Sequence, residues 1–201
     1  MKKLTREDLF SLETYSTERE DFRARVLAHK ANRRVAIGPN AMLYFEDALT
    51  MQYQVQEMLR IERVFETPQI QEELDAYNPL IPDGSNLKAT FTLEYSDVDE
   101  RRQALARLIG IERALWLQAN GEDRIRPVAN EDLERETADK TSAVHFVRFE
   151  LTPAVVQSIK EGNDLSFGID HPQYTYDVTI GPKIRSSLLG DLKSGSETQR
   201  T

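Results

Sequence analysis

Residues 34–65 read RVAIGPNAMLYFEDALTMQYQVQEMLRIERVF, and a change of period inside them decides the fold class. Val35 and Ile37 alternate with Arg34 and Ala36, as in a strand with one buried face. Gly38-Pro39-Asn40 is turn chemistry, because glycine and asparagine tolerate positive φ and proline fixes φ. Met42 to Phe45 then reads as a return strand or as the entry to a helix. From Asp47 onward the period is helical, with Ala48, Met51, Val55, Met58 and Phe65 on one face. Asp47 suits the positive N-terminal end of that helix. The stretch predicts a hairpin feeding an amphipathic helix over about 47–66, with most of its apolar stripe laid on a sheet.

Upstream, Thr5 is a natural N-cap for a turn carrying Glu7 and Asp8, and a helix is predicted from about Thr17 to Ala31. Phe22, Val26 and His29 fall on its apolar face. Downstream, Pro68 is expected to break the long helix, and Gln69–Tyr77 forms a shorter one. Residues 78–86 hold two prolines and a glycine and are the best candidate boundary. It divides a helical region with the hairpin (1–77) from an α+β region (87–192) packed with it as one domain.

In the second region Leu87, Ala89, Phe91, Leu93 and Tyr95 alternate with polar residues, which marks a half-buried strand. Ser96-Asp97 caps a helix to about Ile109, with Val98, Leu105, Leu108 and Ile109 inward. Residues 112–118, with the nearly continuous apolar run Ala114–Leu117, read as a central strand, and Asn120-Gly121 predicts a turn into a strand over about 124–128. Residues 130–142 read as a short helix or a loop. Strands follow over 143–151, 165–170 and 174–180, with a Thr152-Pro153-capped helix between the first two and a last helix after Gly181-Pro182. Trp116, Phe91, Leu93, Phe149 and Phe167 are expected in the core. The order strand–helix–strand–strand thus occurs twice, which suggests a structural duplication resting on element order alone. The predicted class is α+β, a mainly antiparallel sheet with helices packed on it. Residues 193–201 are small and polar and read as a disordered tail.

Composition narrows the chemistry. The chain has 201 residues, 39% hydrophobic and 30% charged, with a net charge of −8. That charge repels a polyanion, and no run of lysine and arginine offsets it, so nucleic acid is not an expected partner. There is no cysteine, so this chain supplies no disulfide, thiolate nucleophile or cysteine-held metal centre. MKKLTREDLF lacks the apolar core of a secretory signal, and no apolar run reaches the roughly 18 residues of a membrane span. A cytoplasmic protein is the expectation.

Few residues nominate themselves for catalysis. Phosphate-loop and Gly-x-Ser-x-Gly patterns are absent. Glu62 falls on the apolar face of the long helix, seven residues after Val55, but lacks the Glu-x-x-His pattern of diiron bundles. It is a candidate acid/base group, and more simply a carboxylate paired at the edge of the stripe. His29, His145 and His171 are the candidate metal ligands, and they would have to converge from a helix, a strand and a turn. His145 doubles as a candidate catalytic residue, although a hydrogen-bonded core histidine explains it equally. The helix face opposite the stripe carries Gln54, Glu57 and Arg60, with Arg63 beside them. They read as a solvated face or as the rim of a docking surface, for a partner or a second copy in a homodimer.

RRVAIGPNAMLYFED at 33–47 followed by QVQEMLRIER at 54–63 resembles a bacterial family known as domain of unknown function 3501. LIPDGSNLKATFTLEY, AVHFVRFEL and the His171-Pro172-Tyr174 turn are similar too, so the resemblance spans nearly all of the chain except the tail. It implies no assigned activity and no catalytic residue. Members of the family are often encoded beside a rubrerythrin-like diiron protein and a cysteine-rich iron–sulfur protein. The resemblance therefore implies an accessory role in a redox or oxidative-stress system, with such a protein as partner and no cofactor of the chain's own. The alternative is a small metal-dependent or small-molecule enzyme using Glu62 and His145.

Overall fold

The hairpin is present in the computed structural model, which describes residues 2–133, 135, 137 and 139–193. Strand β1 (Arg34–Ile37) pairs antiparallel with β2 (Ala41–Phe45), burying Val35, Ile37, Leu43 and Phe45. The turn between them closes on a tyrosine from far down the chain. The Tyr174 hydroxyl donates to Ile37 O (2.7 Å) and accepts from the Asn40 and Ala41 amides (3.0 Å each). Gly38 sits there at φ +71°, and a Cβ would lie 2.6 Å from the Tyr176 ring, so both backbone and space demand glycine.

From the hairpin the sheet grows across the 78–86 loop. β2 pairs with β3 (Asn86–Leu93), β3 with β6 (Val144–Glu150), and β6 with the short β5 (Val128–Ala129). A second sheet runs β4 (Leu115–Ala119), β7 (Leu165–His171), β8 (Tyr174–Thr179), and all pairings in both sheets are antiparallel. Residues 125–129 join the sheets on one side: Ile125 exchanges backbone hydrogen bonds with Leu117 (2.9 and 2.8 Å), and Val128–Ala129 then pairs with β6. On the other side the Tyr174 hydroxyl links β8 to the first hairpin.

Both sheets face one apolar core. Phe167 lies 5.2 Å from Phe45 and 5.9 Å from Phe149 between ring centroids, and Phe91, Leu93 and Trp116 are buried as expected. Helices α4 (Val98–Arg107), α5 (Ile111–Ala114), α6 (Pro153–Lys160) and α7 (Pro182–Leu189) add Ala104, Ile111, Val155, Ile159 and Leu188 to it. The fold is α+β. Among the described residues no helix is long and apolar enough to cross a membrane.

The N-terminal helices form cores of their own. Helix α2 (Ala48–Glu62) packs between α1 (Leu12–Lys30) and α3 (Thr67–Tyr77). Met51, Val55 and Leu59 meet Leu4, Ile70, Leu74 and Ile81, while Tyr15, Phe22 and Val26 form a separate aromatic cluster with Phe10 and Tyr53. The stripe of α2 therefore covers neighbouring helices and not the sheet, a correction to the expected packing. Sequence period marks which face is buried but not what buries it.

Other expectations also need adjustment. Helix α1 starts at Leu12, because Ser11 caps it by accepting from the Thr14 amide (3.1 Å). The long helix ends at Glu62, before Pro68, because Arg63 adopts the left-handed conformation (φ 57°); Pro68 instead opens α3. Val98 and Ile109 face solvent, and residues 111–114 form a helical turn ahead of β4. The 124–128 strand reduces to the Ile125 bridge and β5. The two repeated units do pair, β3 with β6 and β4 with β7, yet β5 joins the first sheet while β8 stays beside β7. Lys193 is ordered, its amide bonded to Gly84 O (2.9 Å). Residues 194–201 of the expected tail, and 134, 136 and 138 of the 130–142 segment, lie outside the described residues.

Trp116 offers a test of the second sheet. Its ring lies over Gly168, its partner across the β4–β7 pair, where a Cβ would sit 2.2 Å from the indole. Arg124 stacks on the ring at 4.0 Å, and the indole N–H donates to Asp170 (3.1 Å). Gly168→Ala is expected to push the ring out at a cost of about 1–3 kcal/mol, the usual range for overpacking. With one tryptophan in the chain, a red-shifted emission maximum and a lower urea midpoint report it directly. An unshifted spectrum would show the ring is elsewhere.

Candidate functional site

The face of α2 opposite the stripe is divided between inside and outside. Glu57 accepts from the Tyr15 hydroxyl (2.7 Å), from Arg19 through two nitrogens (2.8 and 2.9 Å), and from Arg60 (3.2 and 3.3 Å). The Arg19 guanidinium holds its carboxyl down at about 2, against the pull of burial. Glu57 thus fastens α1 to α2 and is no part of a free rim. Gln54 is half-buried, while Arg60 and Arg63 remain exposed. Gln56, which the periodicity does not single out, is fully buried and accepts from the Phe10 amide (2.7 Å).

The end of α2 is where apolar surface is left open. Arg63 turns the chain, its amide closing on Leu59 O, and the Val64 amide bonds to the same carbonyl (2.9 Å). Beyond that turn Phe65 leaves the stripe. Phe65 is 71% and Ile61 63% exposed, the highest values among the large hydrophobic side chains described. Phe65 also borders a groove of about 310 Å³ lined by Arg6, Leu9, Phe10, Leu59 and Ile70. Glu62 is exposed here too, close enough to Glu73 of α3 to help burial raise that carboxyl.

The three histidines sit apart. His29 Nε2 lies 2.5 Å from Asp47 Oδ2. His145 is fully buried; Nδ1 faces the Asn130 amide group (3.1 and 3.2 Å), and Nε2 faces the Thr141 hydroxyl (3.1 Å) and Ser142 O (3.0 Å). Among its neighbours is Glu112, also fully buried, 3.9 Å from Nε2 and 3.1 Å from Arg113. His171 Nε2 meets Ile109 O (3.2 Å). Among the described residues no three His, Asp or Glu side chains form a metal-binding group. No described cavity is lined by both Glu62 and His145. Asp97 caps α4 by accepting from the Glu100 amide (2.8 Å), as its place ahead of the helix predicts.

The family model described as Protein of unknown function (DUF3501) matches residues 3–192. The chain belongs to this family. A solved structure with the same fold is described as a novel protein of unknown function from Burkholderia pseudomallei K96243, determined at 1.90 Å. It is 51% identical, covers 96% of this chain and 100% of its own, and superposes with a TM-score of 0.90. No curated protein matches.

In this DUF3501 protein a buried ion network joins the helical and sheet layers, and nothing in the sequence pattern marks it. Arg33, 2% exposed, precedes β1 and donates to Phe45 O (3.1 Å), Glu46 O (3.1 Å), Ser187 O (3.2 Å) and the Asp191 carboxylate. Its Nε lies 3.5 Å from Asp47, which also receives His29 and caps α2 through the Thr50 amide (2.9 Å). Burial pushes the Asp191 carboxyl up to about 6, while Arg33 pulls it down. The network holds the hairpin, the start of α2 and the end of α7 in one arrangement.

Proposed function

We propose that this protein is a non-catalytic accessory protein of a redox or oxidative-stress system, docking onto a diiron or iron–sulfur partner through the end of α2. The observation that carries the reading is the exposure of Ile61 and of Phe65, the latter bordering an apolar groove. Exposed apolar groups rimmed by polar side chains mark interaction sites, and here Arg60 and Arg63 supply the rim together with Glu62 and Glu66. The redox setting rests on the family resemblance, and an acidic chain without cysteine is suited to serve a redox centre held by another protein. The enzyme alternative draws less support, since His145 is sealed in the interior and Glu62 lies at the exposed end of α2.

Titration calorimetry of untagged protein against a purified rubrerythrin-like or cysteine-rich iron–sulfur partner tests this. Ile61→Asp with Phe65→Asp is expected to weaken binding at least tenfold, with circular dichroism and melting unchanged, because both side chains are already in water. Wild-type affinity in the double variant, or binding of neither partner by the wild type, overturns the reading. So does about one equivalent of retained iron or zinc that His145→Ala removes.

A further inference from the structure

A carboxylate that the sequence does not single out lies in the wall of a second apolar cavity. Glu46 follows β2, and its amide bonds to Lys88 O (2.9 Å), which seats it beside β3. It is 6% exposed. One carboxylate oxygen accepts from the Thr90 hydroxyl (2.7 Å) and the other from the Thr50 hydroxyl (2.6 Å). Among the described residues no ion pair within 4 Å includes it. Arg33 reaches only its backbone carbonyl, Lys88 sends its ammonium to Pro79 O (2.6 Å), and Arg148 is held by Glu131 and Glu150.

Buried carboxylates are ordinarily matched by a cation, because two neutral hydroxyls do not replace the hydration of a full charge. Glu46 lines a cavity of about 460 Å³ between the end of α3 and the outward face of β3 and β6. Tyr77, Leu80 and Phe146 supply apolar walls; Glu131 and Asp132 add carboxylates to the lining, and Lys88 and Arg148 add cations already engaged by Pro79 O and by Glu131 and Glu150. The volume is that of a small-molecule site, with a largely apolar lining and few placed polar groups.

We infer that this cavity binds an aromatic primary amine, its ammonium on Glu46 and its ring against Leu80, Tyr77 and Phe146. Each Glu46 oxygen keeps a lone pair for an N–H donor after its threonine bond. The Tyr77 ring adds a favourable face for a cation, and Glu46, which makes no ion pair among the described residues, disfavours an acid of the same shape. This inference is independent of the docking surface, which lies at the other end of α3.

Calorimetry with tryptamine and phenethylamine, against indole-3-propionate and the neutral 3-methylindole, tests it. At least one amine is expected to bind saturably and at least tenfold tighter than the acid and the neutral compound. Glu46→Gln, which keeps the shape and a hydrogen-bonding group for each threonine, is expected to remove that tenfold preference. Leu80→Trp, which fills the cavity without touching the carboxylate, is expected to abolish binding; it decides the matter should the Glu46 variant not fold. Failure of both amines to bind, equal binding of acid and amine, or undiminished amine binding in either folded variant overturns the inference.

Discussion

Arg33→Ala is expected to destabilise the protein by about 3–5 kcal/mol, the usual cost of breaking a buried ion pair by deleting one partner. The cost arises from what is left behind. Asp191, 3% exposed, loses its only described ion-pair partner, and the carbonyls of Phe45, Glu46 and Ser187 lose their donor together. Arg33→Lys should recover little, since an ammonium is a point charge and cannot reproduce the fork that reaches these separate elements. Asp191→Asn combined with Arg33→Ala should cost less than the two changes summed, because the pair shares one interaction. Urea denaturation measures all three, and an Arg33→Ala midpoint close to wild type would show that the network does not join the layers.

Phe149→Ala carries a comparable expectation, about 3–5 kcal/mol for an aromatic truncated in a packed core. Phe149 is fully buried, opposite Leu87 in the β3–β6 pair and edge-on to Phe167 of the second sheet. Its loss opens a cavity between the sheets. Val144, on the same strand but 38% exposed, serves as the control; Val144→Ala should stay within about 0.5 kcal/mol. Equal midpoints for the two variants would mean the inward face of β6 is misassigned.

These two residues show what the sequence made legible. Phe149 belongs to an alternation that runs through His145, Val147 and Leu151, and a period of two identifies a buried strand face without any knowledge of the partner sheet. The place of Asp47 at the start of α2 is equally readable, since the helix dipole it meets is local. Arg33 is not. A charged residue beside a strand looks solvated until Asp191, 158 positions later, is brought against it. Glu57 reads from periodicity as part of a solvated face or a docking rim for the same reason, since Tyr15 and Arg19 reach it from another helix. The end of α2 is not legible in the sequence because a left-handed cap is usually glycine or asparagine, whereas here Arg63 takes that conformation. That one dihedral moves Phe65 off the stripe and into solvent, and so creates the surface on which the docking proposal stands.

Hydrogen–deuterium exchange with and without the redox partner tests that surface most directly. Residues 58–70 span the end of α2, the Arg63 turn and the start of α3. Docking there should slow amide exchange in this segment, while the two sheets exchange as in the free protein. Protection confined to other elements, or none at partner concentrations that saturate binding, would contradict the account.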